Sequence, residues 1–176
     1  SAYWLGFIYA DGYVNRTSLR IGLGIKDADH LRLFQSDILS TRELKLIPDG
    51  MGKPDREILL AMNSAHMTSR LKELGILPRR GHFDMTLRHL PEHSYRAFIR
   101  GFMDGDGCIS RNYSVSFVGQ PDILSWVKSV ICLQAKVSDA VTIRKRKNAD
   151  LHDISWGGKN QIPRIIEYIY DGATIW

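Results

Sequence analysis

Trp4-Leu5-Gly6-Phe7-Ile8-Tyr9-Ala10-Asp11-Gly12 and, past the middle of the chain, Ile99-Arg100-Gly101-Phe102-Met103-Asp104-Gly105-Asp106-Gly107 are two versions of one segment. Each is an apolar run that ends in Asp-Gly, and the terminal aspartates, Asp11 and Asp106, lie 95 positions apart. Self-similarity of this kind marks an internal repeat. Trp4, Leu5, Phe7 and Ile8, like Phe98, Ile99, Phe102 and Met103, recur at helical spacing. Both segments are therefore expected to be buried helices, ended by Gly12 and Gly107 in a left-handed turn. Gly6 with Ala10, and Gly101 with Gly105, stand four residues apart on one face, where the lack of bulk lets two backbones approach closely. The two helices are expected to pack against each other.

Such packing brings Asp11 and Asp106 to the same end of a helix pair, each beside the negative end of its own helix dipole and beside its twin. Both interactions oppose ionisation. A hard divalent cation, held by a few carboxylates together with phosphate and water, offsets them. Paired metals in phosphoryl-transfer sites lie about 4 Å apart and clamp the attacking and leaving oxygens. Two core helices with capping aspartates would account for one such segment; two copies that both keep the aspartate favour a site.

The two segments resemble the paired signature helices of the LAGLIDADG homing endonucleases, in the branch that carries both motifs in one chain. The resemblance implies an α+β fold of two pseudo-symmetric αββαββα units. They would form a saddle of two antiparallel sheets over DNA, around a central two-helix interface. It also implies that the last acid of each motif, Asp11 and Asp106, is a metal-binding catalytic carboxylate, with Ala10 and Gly105 the adjoining metal-site positions. The cofactor would be Mg²⁺ or Mn²⁺, with Ca²⁺ a non-productive substitute. Three positions depart from the pattern: Tyr9 replaces the earlier acid of the first motif, Arg100 a small residue and Trp4 the leading aliphatic. None is the catalytic position, and Arg100 is expected to face away from the partner helix.

Composition bounds the reading independently. With 176 residues, 44% of them hydrophobic, the chain can bury a substantial core. Lys plus Arg number 24 against 19 for Asp plus Glu, which favours a polyanionic partner without establishing one. No apolar run approaches the ~20 residues of a membrane helix and no signal peptide is visible, so a soluble intracellular chain is expected, in cytoplasm, nucleoid or an organelle. It opens on Ser1 rather than Met, as an excised or trimmed domain would. Cys108 and Cys132 fall in different elements and are expected to stay reduced. His82, His89 and His93 lack an accompanying Cys and read as a solvated or phosphate-contacting linker rather than a zinc site. Asp104-Gly105-Asp106-Gly107 is no calcium loop, because Cys108, Ile109 and Val115 stand where an acid, a glycine and a glutamate belong.

Three segments organise the chain: a first half at 1–77, a linker at 78–93 and a second half at 94–176. Ser18 to Lys26 alternates as a strand, with Leu19, Ile21, Leu23 and Ile25 toward the core and Arg20 and Lys26 on the other face. A helix from Ala28 to Leu39, capped by Asp27, follows. Strands at 43–47 and 57–62 flank a Gly- and Pro-rich loop. Ser64 opens a helix that stops at Gly75. In the second half, strands are expected at 108–110, 114–118, 141–147 and 151–156, with helices at 122–133 and 160–170.

The strongest basic feature is Arg144-Lys145-Arg146-Lys147, at the end of a strand that would place Thr142, Arg144 and Arg146 on one face. It reads as a groove-binding ribbon, in which Arg reads guanine or neutralises phosphate, or as a charged tip that keeps a hairpin soluble. Under the family resemblance the candidate DNA contacts are Arg16, Arg20, Lys26 and Lys45 in the first half. Those of the second are Arg111, Ser116, Thr142, Arg144, Arg146, Asp153 and Ser155. Lys159, after Trp156-Gly157-Gly158, is a third catalytic candidate that would polarise the scissile phosphate or a metal-bound water, or else cap the last helix.

Three function classes follow. The first is a site-specific double-strand DNA endonuclease of an intron- or intein-encoded kind, acting as a monomer that needs no protein partner. The second is a catalytically silent nucleic-acid-binding protein on the same scaffold, an RNA maturase or a DNA-binding regulator. The third is a structural domain. The two intact aspartates favour the first, and the basic sheet disfavours the third.

Overall fold

The computed structural model describes residues 1–76, 90–147 and 150–174. Most of the expected linker lies outside these residues, with His82 and His89. The chain forms two compact units: Ser1–Ala10 with Phe83–Trp176, and Asp11–His82. The opening helix thus belongs almost wholly with the second half of the sequence.

In the unit of Asp11–His82, β1 (Gly12–Val14), β2 (Ser18–Gly24), α2 (Ala28–Asp37), β3 (Lys45–Ile47), β4 (Glu57–Asn63) and α3 (Ala65–Glu73) follow in order. Their antiparallel sheet has the order β1-β2-β4-β3. Leu19, Ile21, Ile58, Leu60 and Met62 point to one face and are buried with Leu31 and Phe34 of α2. The other face, with Arg20, Lys45, Leu59 and Ala61, is half-buried or exposed, the alternation of burial expected of a half-covered antiparallel sheet.

The other unit opens with α1 (Ala2–Asp11) and continues through α4 (Tyr95–Asp106), β5 (Gly107–Ser110), β6 (Ser114–Gly119), α5 (Pro121–Gln134), β7 (Arg144–Lys145), β8 (His152–Gly157) and α6 (Gln161–Tyr170). Its sheet has the matching order β5-β6-β8-β7. Val115, Phe117, Ile154 and Trp156 are fully buried beneath α5 and α6. Each half of the sequence thus reads helix, two strands, helix, two strands, helix. The α+β expectation and the repeated element order both hold.

The structure corrects five local readings. Gly107 is extended (φ −93, ψ 166) and Gly12 begins β1, so neither ends its helix in a left-handed turn. Gly107 is required for room instead: a Cβ there would lie 2.2 Å from Met103 Sδ and 2.4 Å from Met103 O. Strand β2 stops at Gly24, and Ile25 and Lys26 fall in a 3₁₀ turn with Ile25 45% exposed. Asp27 occupies the N-cap position of α2 but its side chain makes no capping bond. The basic strand at 141–147 contracts to Arg144–Lys145, leaving Thr142 and Arg146 outside the ladder. Arg100 does not turn away from the partner helix; its guanidinium lies 5.7 Å from the centroid of the Tyr3 ring. Other readings hold: Ser64 Oγ accepts from Met67 N–H at 3.1 Å, and Gly75 ends α3 at φ +88.

Candidate nucleic-acid interface

Helices α1 and α4 meet at their glycines. A Cβ on Gly6 would sit 2.0 Å from Phe98 O and 2.9 Å from Phe102 N; one on Gly101 would sit 1.9 Å from Tyr3 O and 2.8 Å from Phe7 N. Tyr3, Gly6 and Phe7 correspond to Phe98, Gly101 and Phe102 under the 95-residue repeat, so each contact has its counterpart with the roles exchanged. The crossing is two-fold by sequence and by structure. Tyr9 seals it, its ring edge-on to Phe102 at 5.2 Å. Burial, reinforced by Asp106 and then Asp122, pushes the Tyr9 phenol well above its ordinary range, so it stays protonated.

Asp11 and Asp106 are each the last residue of their helix, five positions beyond the crossing glycine. Asp11 is half-buried and Asp106 exposed. The carbonyls of Ala10 and Gly105 belong to the last turns of α1 and α4, where the helix pattern offers no donor. These donors are all oxygens, the set that suits a hard divalent cation. Among the described residues no three His, Cys, Asp or Glu side chains gather into a metal-binding group.

The earlier acid of the second motif, Asp104, has another task that its sequence position did not reveal. Tyr3 Oη donates to Asp104 Oδ2 at 2.8 Å, and Tyr170 Oη donates to Oδ1. One carboxylate thus ties the last turn of α4 to α1 and α6. Burial first, and then Asp104, raises both phenols well above their ordinary range.

The uncovered faces of the sheets carry most of the candidate contacts. In the sheet of Asp11–His82, Tyr13, Arg20 and Ala61 form one row across the strands and Gly22, Leu59 and Lys45 the next. In the other sheet the rows are Cys108, Ser116 and Ser155, then Val118, Asp153 and Arg144. The ladders make these rows equivalent: Arg20 stands where Ser116 does, and Lys45 where Arg144 does. Each sheet thus carries one cation on its edge strand at the same register, one step beyond the first β1–β2 and β5–β6 pairs. Thr142, Arg144, Asp153 and Ser155 also line one hollow of about 460 Å³.

The remaining candidates lie elsewhere. Arg16 and Arg111 occupy the β1–β2 and β5–β6 turns, Lys26 the 3₁₀ turn, and Arg146 follows β7 with its N–H on Leu151 O. Lys159 follows the end of β8 that pairs with the β5–β6 turn, its ammonium 5.8 Å from the Tyr113 ring centroid. Asp106 adjoins the other end of β5, so the ladder sets Lys159 and Asp106 at opposite ends of the sheet.

No protein-family profile and no curated protein sequence matches the chain. Solved structures do. A mesophilic variant of the homing endonuclease I-DmoI superposes at TM-score 0.67 with 13% identity, over 99% of this chain and 96% of its own. The I-LtrWI LAGLIDADG homing endonuclease bound to target DNA gives 0.64 with 11% identity, over 97% and 82%. The N-terminal LAGLIDADG domain of WhiA gives 0.63 with 14% identity, over 96% and 79%. This chain has the LAGLIDADG fold. I-DmoI is also among the matches in complex with DNA and Mn, and with DNA and Ca. In LAGLIDADG terms α1 and α4 are the motif helices, and the rows of Lys45 and Arg144 lie one step beyond the first pairs of β1 and β5. No helix among the described residues is long and apolar enough to cross a membrane.

Proposed function

We propose that this LAGLIDADG chain is a site-specific double-strand DNA endonuclease in which Asp11 and Asp106 bind divalent metal. The observation that carries the reading is the exchanged glycine contact of α1 and α4, with an aspartate five residues beyond each crossing glycine. A divalent cation held by Asp11, Asp106 and the carbonyls of Ala10 and Gly105 would polarise the scissile phosphate and lower the pKa of an attacking water. Mg²⁺ or Mn²⁺ is the proposed cofactor and Ca²⁺ a non-productive substitute; that I-DmoI is found in complex with DNA and Mn and with DNA and Ca supports a divalent metal.

The chain's own residues orient the substrate. Lys45 and Arg144 hold phosphate or base edges at equivalent registers of the two sheets. Arg16, Arg20, Lys26, Arg111, Ser116, Thr142, Arg146, Asp153 and Ser155 contribute further DNA contacts. We place Lys159 with these contacts rather than with the chemistry, because of its place in the ladder. The halves 1–77 and 94–176 each serve one half-site, and the protein acts as a monomer.

The second reading is nucleic-acid binding without cleavage, kept in view because the same fold also serves as the N-terminal LAGLIDADG domain of WhiA. Selection of cleaved sites from a randomised duplex library with Mg²⁺ separates the two. The nuclease reading expects a defined double-strand cut that Asp11→Asn or Asp106→Asn abolishes while binding is kept. Tight binding with no cleavage of any sequence favours the second reading, and a double Asn variant that still cuts both strands refutes the proposed site.

A further inference from the structure

The unit Asp11–His82 has a hollow of about 310 Å³ between the β1–β2 turn and α3, away from the exposed sheet face. Its walls are fixed. The hydroxyl of Thr68, a residue only 3% exposed, donates to Arg16 O at 2.9 Å, and Ser64 N–H donates to Thr17 O at 2.8 Å, fastening the turn to the first turn of the helix. Asn15 Oδ1 accepts from the N–H groups of Thr17 and Ser18 at 2.8 and 2.7 Å, and its NH₂ makes no hydrogen bond among the described residues. Arg16 and Lys72 line the hollow, and neither forms an ion pair among the described residues. Ser69 adds a hydroxyl, and among the described residues no carboxylate lines the hollow.

The other unit uses the same helix face differently. Ser64 N–H to Thr17 O has its counterpart in Gly158 N–H to Tyr113 O, so Ile162, Ile166 and Tyr170 of α6 occupy the places of Thr68, Lys72 and Ile76. There the face is apolar, Ile162 is 3% exposed, and α6 packs on α4. The face of α3 has polar and cationic side chains where packing would require apolar ones. Two cations without an ion pair, an amide and a hydroxyl around a cavity with no acid among its described residues make a receptor for an oxyanion.

We propose that Asn15, Arg16, Ser69 and Lys72 form a phosphate-binding site, separate from the sheet face. Its occupant carries a phosphate group, from a nucleic-acid backbone or free in solution. The site requires no cleavage activity, so its failure and that of the nuclease reading are told apart.

The test is amide NMR of the full chain titrated with inorganic phosphate, chloride being adjusted to hold ionic strength constant. The expected result is saturable shifts confined to residues 15–17 and 65–72, with the affinity lowered about fivefold in Lys72→Ala, the scale of one exposed charge contact. A second arm measures binding to a duplex of arbitrary sequence against salt. A slope lowered by about 0.9 in Lys72→Ala assigns the site to a backbone phosphate. An unchanged slope with phosphate binding lost assigns it to free phosphate. Shifts that chloride reproduces, or that Lys72→Ala leaves intact, overturn the proposal.

Discussion

Replacing Gly6 by alanine tests the crossing on which the site depends. The new Cβ would lie 2.0 Å from Phe98 O, and ordinary contact begins at 3.4 Å, so about 1.4 Å has to open between the helices. At Gly101 the opposing atom is Tyr3 O at 1.9 Å, and about 1.5 Å has to open. Both obstacles are backbone, which no side-chain rotation relieves. Alanine gains about 1 kcal/mol of helix propensity over glycine. Against this stand the 1–3 kcal/mol or more typical of overpacking, here at the upper end, and dispersion lost along two helices moved apart.

The net expectation is a loss of about 2 kcal/mol or more, a large share of the ~5–15 kcal/mol that holds a domain folded. Urea denaturation of the parent, each single variant and the double variant measures it. Because one separation relieves both clashes, the double variant should lose clearly less than the sum of the two. Gly22→Ala is the control: its Cβ would meet nothing closer than 3.9 Å, and stability should change by no more than about 0.5 kcal/mol. If Gly6→Ala is as stable as the parent, or the two losses simply add, the close crossing is wrong.

Other consequences follow from the same geometry. Asp11→Asn and Asp106→Asn should leave stability and DNA binding at least at parental levels while removing cleavage, because the amide keeps the shape and discards the charge that holds metal; calorimetric titration with Ca²⁺ in the presence of DNA should show the binding heat lost. Lys45→Ala and Arg144→Ala should both weaken DNA binding, by about 1–3 kcal/mol and with relaxed specificity where the cation reads a base, or with a salt slope lowered by about 0.9 where it neutralises phosphate; no effect at either position would refute their equivalent placement. Tyr3 and Tyr170 hold their protons more tightly folded than unfolded, so their contribution is complete below about pH 10 and fades as pH rises toward their raised folded values. Tyr170→Phe should therefore cost stability at pH 8, and its deficit relative to the parent should shrink above pH 10; a constant deficit would show that folding does not make this phenol harder to ionise.

The motif helices were legible because their signal is redundant. Apolar spacing and a small residue at the same place in each copy point to one close crossing, and the contacts of Gly6 and Gly101 bear that part out. Gly107 shows where such reading fails. A glycine that permits a left-handed turn and a glycine that makes room for Met103 look alike in a sequence, and only the extended backbone tells them apart. Arg100 fails for a related reason: a charged residue on a buried helix suggests solvent, whereas a guanidinium also finds a favourable place over an aromatic face such as that of Tyr3.

The edge strands, which carry the proposed contacts Lys45 and Arg144, were the least legible elements. Val141-Thr142-Ile143-Arg144 alternates like a strand, yet β7 keeps only the two residues that β8 can pair, since an edge strand lasts as long as its one neighbour supports it. The equivalence of Lys45 and Arg144 was hidden for the same reason. The motif aspartates are 95 positions apart, but Lys45 and Arg144 are 99 apart, because the connections to β3 and β7 differ in length. Alignment by the motif would match Lys45 to Ala140, outside any strand. The ladder instead places Lys45 opposite Leu59 and Arg144 opposite Asp153, and Leu59 and Asp153 hold equivalent places in β4 and β8. The edge cation opposes an apolar residue in one sheet and a carboxylate in the other. Asp153 lowers the positive field that Arg144 presents, and its acceptor oxygens suit a cytosine amino group where Lys45 has only a cation beside leucine. A protein built on this two-fold crossing should therefore read its two half-sites by unequal rules, with stronger base discrimination around Arg144 and a larger share of phosphate neutralisation around Lys45.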